Sequence, residues 1–262
     1  MKYTDQLNNS LYFNEVPNKI VSLVPSITEL LCSLGCEEQL IGVTKFCVHP
    51  EHIKNSKKRI GGTKNPDLES IRKLDPDLII ANKEENRLED ITSLQENYQV
   101  YISDVINIDS SLSMIRDLGF ITGHANKAME IESKIRFIID NIVPLRGTTA
   151  LYIIWQDPIM AIGAHTYIDS ILTHCGIENA YKGSSRYPEL TDQSIKKLSP
   201  DLILLSTEPY PFNEVHLSQF KNKFPESQVS IIDGEVFSWY GSRLIQKNQY
   251  LNQFTESLRI LN

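Results

Sequence analysis

The stretch Leu68-Glu-Ser-Ile-Arg-Lys-Leu-Asp-Pro-Asp-Leu-Ile79 has a near copy in Asp192-Gln-Ser-Ile-Lys-Lys-Leu-Ser-Pro-Asp-Leu-Ile203. Ser, Ile, Lys, Leu, Pro, Asp, Leu and Ile stand at the same offsets in both. A helix ending in Leu-x-Pro-Asp-Leu is a physical unit. Proline has no N–H with which to continue the helix, and the aspartate turns the chain into a buried strand. Two copies of this joint read as two related halves. A weaker echo relates residues 28–35 to 169–176, each an apolar helix stopped by glycine.

Working outward from the first copy, residues 20–24 form an apolar run ended by Pro25, and Ser26-Ile-Thr-Glu29 reads as a capping box. Leu30, Leu31 and Leu34 supply that helix's apolar stripe, and Gly35 its stop. A strand over 40–44 precedes a loop over 45–66 rich in Lys, His, Pro and Gly; helices over 67–74 and 85–96 then alternate with strands over 78–81 and 99–102. Strands separated by helices, without hairpin signals, indicate parallel βα units. From 109 to 143 the periodicity is helical only, broken near Gly119 and Gly123, and the part over 124–142 is long for a crossover helix. Beyond Pro144 and Gly147 the alternation resumes: strands over 150–155, 202–206 and 228–232, helices over 167–175 and 192–198, and a last helix from 242. The fold expected is α/β, with two Rossmann-like βα lobes of parallel sheet joined by a single long backbone helix. Its boundaries are an N-terminal lobe over 1–108, a helical linker over 109–145 and a C-terminal lobe over 146–262.

Composition narrows the function. Lys and Arg number 26 against 33 Asp and Glu, a net charge of −7 in 262 residues. An acidic balance disfavours nucleic acid, because phosphate neutralisation needs a basic face. No run approaches the ~18 apolar residues of a membrane span. Residues 1–18 carry Asp5 and Glu15 and lack an apolar core, so the expected location is the cytoplasm. Cys32, Cys36, Cys47 and Cys175 are too few and too scattered for a disulfide framework.

Several kinds of chemistry lack their motif. Gly61-Gly-Thr-Lys64 has neither the spacing nor the preceding strand of a phosphate loop, and no G-x-S-x-G elbow or H-E-x-x-H occurs. Cys47-Val-His49-Pro-Glu-His52 offers a thiolate and two imidazoles at metal-ligand spacing. The alternative is a loop in which His49 points into a cleft and Cys47 is packed. Cys32 and Cys36, four apart, share a helix face and read as small apolar residues. Aromatic residues gather where loops are expected: Trp155-Gln-Asp-Pro158, Arg186-Tyr187-Pro188 and Ser238-Trp239-Tyr240-Gly-Ser-Arg243. Loops at the carboxyl ends of parallel strands bind ligands in such folds. Aromatic walls with an arginine suit a large planar or amphipathic ligand.

With these residues in order, the chain resembles the substrate-binding proteins of cobalamin and iron–siderophore ABC transporters, most closely the vitamin B12 branch. The resemblance rests on Val21-Ser-Leu-Val-Pro-Ser-Ile-Thr-Glu-Leu30, then Ile41-Gly-Val-Thr44, His49-Pro50, Gly61-Gly62-Thr63, Leu68-Glu69-x-Ile71, Pro76-Asp77-Leu78, Arg186-Tyr187-Pro188 and Pro200-Asp201-Leu202. It covers residue 20 to the C-terminus. It implies a non-enzymatic, monomeric receptor with no cofactor of its own, holding cobalamin, haem or an Fe(III)-siderophore in a cleft between lobes, and the family role would place it in the periplasm or at the cell surface as the alternative to the cytoplasm. His49 and Tyr187 stand where B12 binders carry cleft aromatics, and His49 is the candidate ligand to the chelate's metal. Trp155, Trp239 and Tyr240 are further wall candidates from their loop positions, with Arg186 and Arg243 beside them. Transporter members present one glutamate per lobe to the membrane subunit. Glu69 matches the first, whereas the repeat puts Gln193 at the second and leaves Asp192 as the nearby acid. The alternative on this architecture is a cytoplasmic corrinoid- or tetrapyrrole-handling enzyme or carrier, with His49 and Glu51 or Asp157 as an acid–base pair.

Overall fold

Residues 2–181, 183 and 186–259 are described by the computed structural model. The chain opens with an antiparallel hairpin, β1 (Lys2–Thr4) on β2 (Ser10–Tyr12), which the sequence reading did not anticipate. There follow β3 (Ile20–Ser22), α1 (Pro25–Leu34), β4 (Leu40–Val43), α2 (Ile53–Ser56), β5 (Lys58–Arg59), α3 (Leu68–Leu74), β6 (Leu78–Asn82), α4 (Leu88–Gln95) and β7 (Val100–Ser103). Five strands pair in parallel in the order β5-β4-β3-β6-β7. Every residue of β3, β6 and β7 is buried, as their unbroken apolar runs require of a sheet covered on both faces. The edge strand β7 is capped by side chains: Asp5 accepts the Ile102 N–H at 3.1 Å and Gln6 Oε1 the Asp104 N–H at 2.8 Å. Unpaired edge amides invite association with other strands, and here they are occupied.

The helix after β3 corrects one expectation. Pro25, not Ser26, opens α1; Val24 is the N-cap and no side chain caps it. Proline's missing N–H costs nothing at the first helical position, so the apparent capping box lies inside the helix. Gly35 ends α1 in the left-handed region, at φ 94°, as expected. Cys36 therefore lies past the helix rather than on its face.

The helical stretch is two helices, α5 (Ile108–Ile121) and α6 (Ala125–Asp140). The break is at Gly123 (φ 78°) and not at Gly119. Gly119 sits within α5, where a Cβ would stand 2.3 Å from that of Ala128, so it permits close packing of α5 on α6. Next come β8 (Thr148–Trp155), β9 (Ile159–Ala161), α7 (Tyr167–His174), β10 (Ile177–Asn179), β11 (Glu189–Leu190), α8 (Asp192–Leu198), β12 (Leu202–Ser206), α9 (Glu214–Lys223) and β13 (Gln228–Ile232). The C-terminal helix is divided into α10 (Gly234–Ser238), α11 (Arg243–Gln246) and α12 (Tyr250–Arg259). In the second sheet β10, β8, β12 and β13 are parallel, while β9 and β11 add an antiparallel margin beyond the all-parallel expectation.

Two compact units result. The first takes the described residues as far as Val105, with Asp109–Arg136 and Tyr240–Ile245; the second takes Ile106–Ile108, Phe137–Trp239 and the residues from Gln246. The boundary near residue 136 falls inside α6. Residues 240–245, placed by the sequence reading with the C-terminal half, pack in the first unit.

Candidate functional site

In the first unit, the loop 44–52 leaves the carboxyl end of β4. Lys45 N–H bonds the Gly61 carbonyl at 2.8 Å, joining this loop to the glycine pair. Asn86 fixes the same end of the sheet: its amide donates to the carbonyls of Leu23 (3.3 Å) and Thr63 (3.0 Å), and its oxygen accepts the Asn82 N–H at 2.8 Å. On this braced edge Phe46 is 52% exposed, with the Lys45 ammonium 5.0 Å from its ring centroid. Sequence reasoning passed over Phe46, although its place between Thr44 and His49 was a usable signal.

The Cys47–His49–His52 cluster is split by its own backbone. Cys47 is buried, donating to Thr28 Oγ1 at 3.2 Å and lying 3.3 Å from Thr44 Oγ1. Burial pushes its thiol up, away from the thiolate a metal needs. His52 points outward to Glu37 at 2.7 Å. His49 lies half-buried between them, and among the described residues no group of three His, Cys, Asp or Glu converges. Cys47 is packed, and His49 is half-buried on the same loop. Glu51, its acid–base candidate, is exposed. Glu69 is exposed in the first turn of α3, 2.6 Å from Lys73.

Tyr240 and Arg243 also belong to the first unit, and both are buried. The Arg243 guanidinium lies 2.9 Å from Glu29 of α1, an ion pair nearly closed to water. Gly241 (φ 117°) brings this segment against Leu30, within 3.3 Å of a notional Cβ. Such a pair holds the return of the chain onto α1, and removing one partner leaves a buried charge.

In the second unit Trp155 ends β8 at the carboxyl edge and is 39% exposed. Its indole N–H donates to the Asp157 carbonyl at 3.0 Å, and its ring meets Tyr210 edge-on, 5.4 Å between centroids. Tyr210 follows β12 in the segment Tyr210-Pro-Phe212, which the sequence reading also passed over. Arg186 and Tyr187 are held by their backbone: Gly163 N–H bonds Arg186 O at 2.7 Å and Ala161 N–H bonds Pro188 O at 3.0 Å. This ladder beyond β9 leaves the Tyr187 ring exposed and Arg186 half-buried. Trp239, by contrast, is 7% exposed, with its indole N–H on Glu208 Oε1 at 2.5 Å. Asp192 opens α8 and lies 3.0 Å from Lys223. A groove of about 450 Å³ lined by Asp169, Thr173, Glu178, Asn179 and Tyr181 contains none of the nominated residues.

The site candidates thus separate by exposure. His49, Trp155, Arg186 and Tyr187 offer surface, whereas Trp239, Tyr240 and Arg243 are buried.

The family model "Periplasmic binding protein" matches residues 20–228. A vitamin B12-binding protein of Vibrio campbellii is 23% identical over 83% of this chain and 81% of its own. An ABC transporter substrate-binding lipoprotein of Bacillus subtilis is 28% identical over 76% of this chain and 67% of its own. The crystal structure of the periplasmic vitamin B12 binding protein of Vibrio cholerae superposes with a TM-score of 0.81 at 17% identity, covering 93% of this chain and 98% of that one, which establishes the fold. The family is made up of binding proteins rather than enzymes. One expectation is overturned: these relatives are periplasmic proteins or a lipoprotein, so the cytoplasmic placement drawn from residues 1–18 does not stand.

Proposed function

Because this chain belongs to the periplasmic binding protein family, we propose that it is the receptor of an ABC uptake system for a metal chelate, working outside the cytoplasm, with a corrinoid as first ligand and haem or a ferric siderophore as alternatives. The observation that carries the reading is the match to vitamin B12-binding proteins over most of the chain. The exposed candidates agree with it in kind. The His49 imidazole suits an open axial position on a chelated metal or a hydrogen bond to its side groups. Trp155 and Tyr187 offer apolar ring surface, and Arg186 a cation for carboxylate or phosphate groups. Trp239, Tyr240 and Arg243 contribute by shaping the backbone. Glu69 and Asp192 are the acidic candidates for contact with a membrane subunit.

Absorption spectroscopy with aquocobalamin and haemin tests this. Imidazole displacement of the axial water moves the visible bands of aquocobalamin, so wild type shifts them and His49→Ala does not. Calorimetry showing no heat with aquocobalamin, haemin or ferric ferrioxamine overturns the reading.

A further inference from the structure

Trp155 is the end of a chain of contacts that reaches into the second unit's core. Its indole N–H is already bonded to the Asp157 carbonyl, so what it presents outward is ring face alone. The edge contact with Tyr210 is backed by Phe212, whose ring lies 4.7 Å from that of Tyr210 and is itself buried with Ile195, Phe220 and Phe224. The Tyr210 hydroxyl lies 3.1 Å from His216 Nε2. His216 Nδ1 accepts the Asn213 N–H at 3.1 Å, closing the capping box of α9. Accepting that amide leaves Nδ1 without a proton, so Nε2 carries the ring proton and donates it to Tyr210. The indole N–H, both imidazole nitrogens and the Tyr210 oxygen as acceptor are thereby engaged within the series, while the Tyr210 O–H keeps its own proton to donate.

We infer that Trp155 is an oriented stacking platform for the flat face of a macrocyclic metal chelate, and that Tyr210 and His216 are the positioning residues that fix its plane. The inference rests on the proposed function and sharpens its ligand class. An indole whose one donor is already spent rewards a broad apolar face of the corrin or porphyrin kind. It gives nothing to the oxygen-rich surface of a hydroxamate–iron complex, which asks for donors and cations. Orientation matters because an indole already locked by its neighbours loses less freedom on binding. Trp155, the last residue of its strand, is readable in the sequence, whereas Tyr210 and His216 join it only through the fold.

The test measures binding of aquocobalamin, haemin and ferric ferrioxamine by calorimetry, alongside fluorine NMR of protein labelled with 5-fluorotryptophan. The chain holds two tryptophans, so the resonance absent from Trp155→Ala is that of Trp155. Trp155→Ala weakens aquocobalamin or haemin by about tenfold and leaves ferrioxamine unchanged. Tyr210→Phe keeps the ring but loses the hydroxyl; His216→Gln keeps a capping acceptor but not the imidazole. Both move the Trp155 resonance without ligand and weaken macrocycle binding less than Trp155→Ala does. If wild type binds none of the three probes, the proposed function falls. If it binds and Trp155→Ala binds equally tightly, the platform falls while the function stands. Equal weakening toward ferrioxamine overturns the ligand class, and an unmoved Trp155 resonance in both Tyr210→Phe and His216→Gln overturns the positioning roles whatever the ligand.

Discussion

The two helix–strand joints, α3–β6 and α8–β12, solve the same problem with partly different residues. Asp67 caps α3 by accepting the Ser70 N–H at 3.0 Å, and Thr191 caps α8 by accepting the Ser194 N–H at 3.2 Å. Both helices end on a non-glycine residue in the left-handed region, Asp75 (φ 48°) and Ser199 (φ 46°), followed by proline. The aspartate after that proline then does the same job twice. Asp77 Oδ2 accepts the N–H groups of Asn18 and Lys19, both at 2.9 Å, just ahead of β3. Asp201 Oδ2 accepts the N–H and the hydroxyl of Thr149, both at 2.7 Å, in β8. Each carboxylate thus ties the start of its own strand to the start of the parallel neighbour. What recurs is what the backbone needs; what differs faces water, Glu69 against Gln193.

The largest break in this equivalence comes from the buried isoleucines. Ile71 and Ile195 are both fully buried at matching positions. Alanine at either is expected to cost about 3 kcal/mol in urea unfolding, since a cavity adds to the lost transfer energy. A cost several times smaller on one side would show that only one joint is built around its isoleucine.

Next in size are the aspartates. Asp77→Asn and Asp201→Asn each weaken two hydrogen bonds to an ionised acceptor, at about 1 kcal/mol apiece. The Thr149 amide and hydroxyl hold the Asp201 carboxyl below the usual carboxylate range. Its contribution is therefore present above the unfolded value of about 4 and is lost as pH falls through the lower folded one. Urea midpoints of wild type and Asp201→Asn are expected to differ at pH 7 and to converge in acid. A gap that persists in acid assigns the effect to packing instead of to the charge.

These joints were legible because their signals are local. Residues 192–198, 202–206 and 228–232 take the secondary structure their pattern predicts. The hairpin of β1 and β2 was not legible, because its strands are only three residues long and its connection is tied by Asp5 and Gln6 to a strand far along the chain. Nor was the margin of β9 and β11, which depends on a ladder that pairs Glu189 with Met160 and Leu190 with Ile159, far apart along the chain. At the candidate site the aromatic loops were readable and their exposure was not. Trp155 and Trp239 look alike in sequence; Glu208, on another loop, turns Trp239 inward, and Glu29 does the same for Arg243. Burial of that kind is set by partners far along the chain, which periodicity does not register.

The smallest effect on stability is expected where the two joints differ most in charge. Glu69 pairs with Lys73 one turn on, at 2.6 Å and in full view of solvent. At position 193, four residues before Lys197, Gln193→Glu recreates that spacing and is expected to add about 0.3–0.5 kcal/mol, with Glu69→Gln losing as much. Effects of that size barely move a urea midpoint, so a large change in transport or in capture of the membrane subunit cannot come from folding. If docking uses one carboxylate on each unit, Glu69→Gln abolishes stimulation of the transporter's ATPase, and Gln193→Glu strengthens it while Asp192→Asn weakens it. If Gln193→Glu leaves stimulation unchanged and Asp192→Asn removes it, the second contact has moved by one residue onto an acid that must first release Lys223. Indifference to all three substitutions places docking elsewhere on both units.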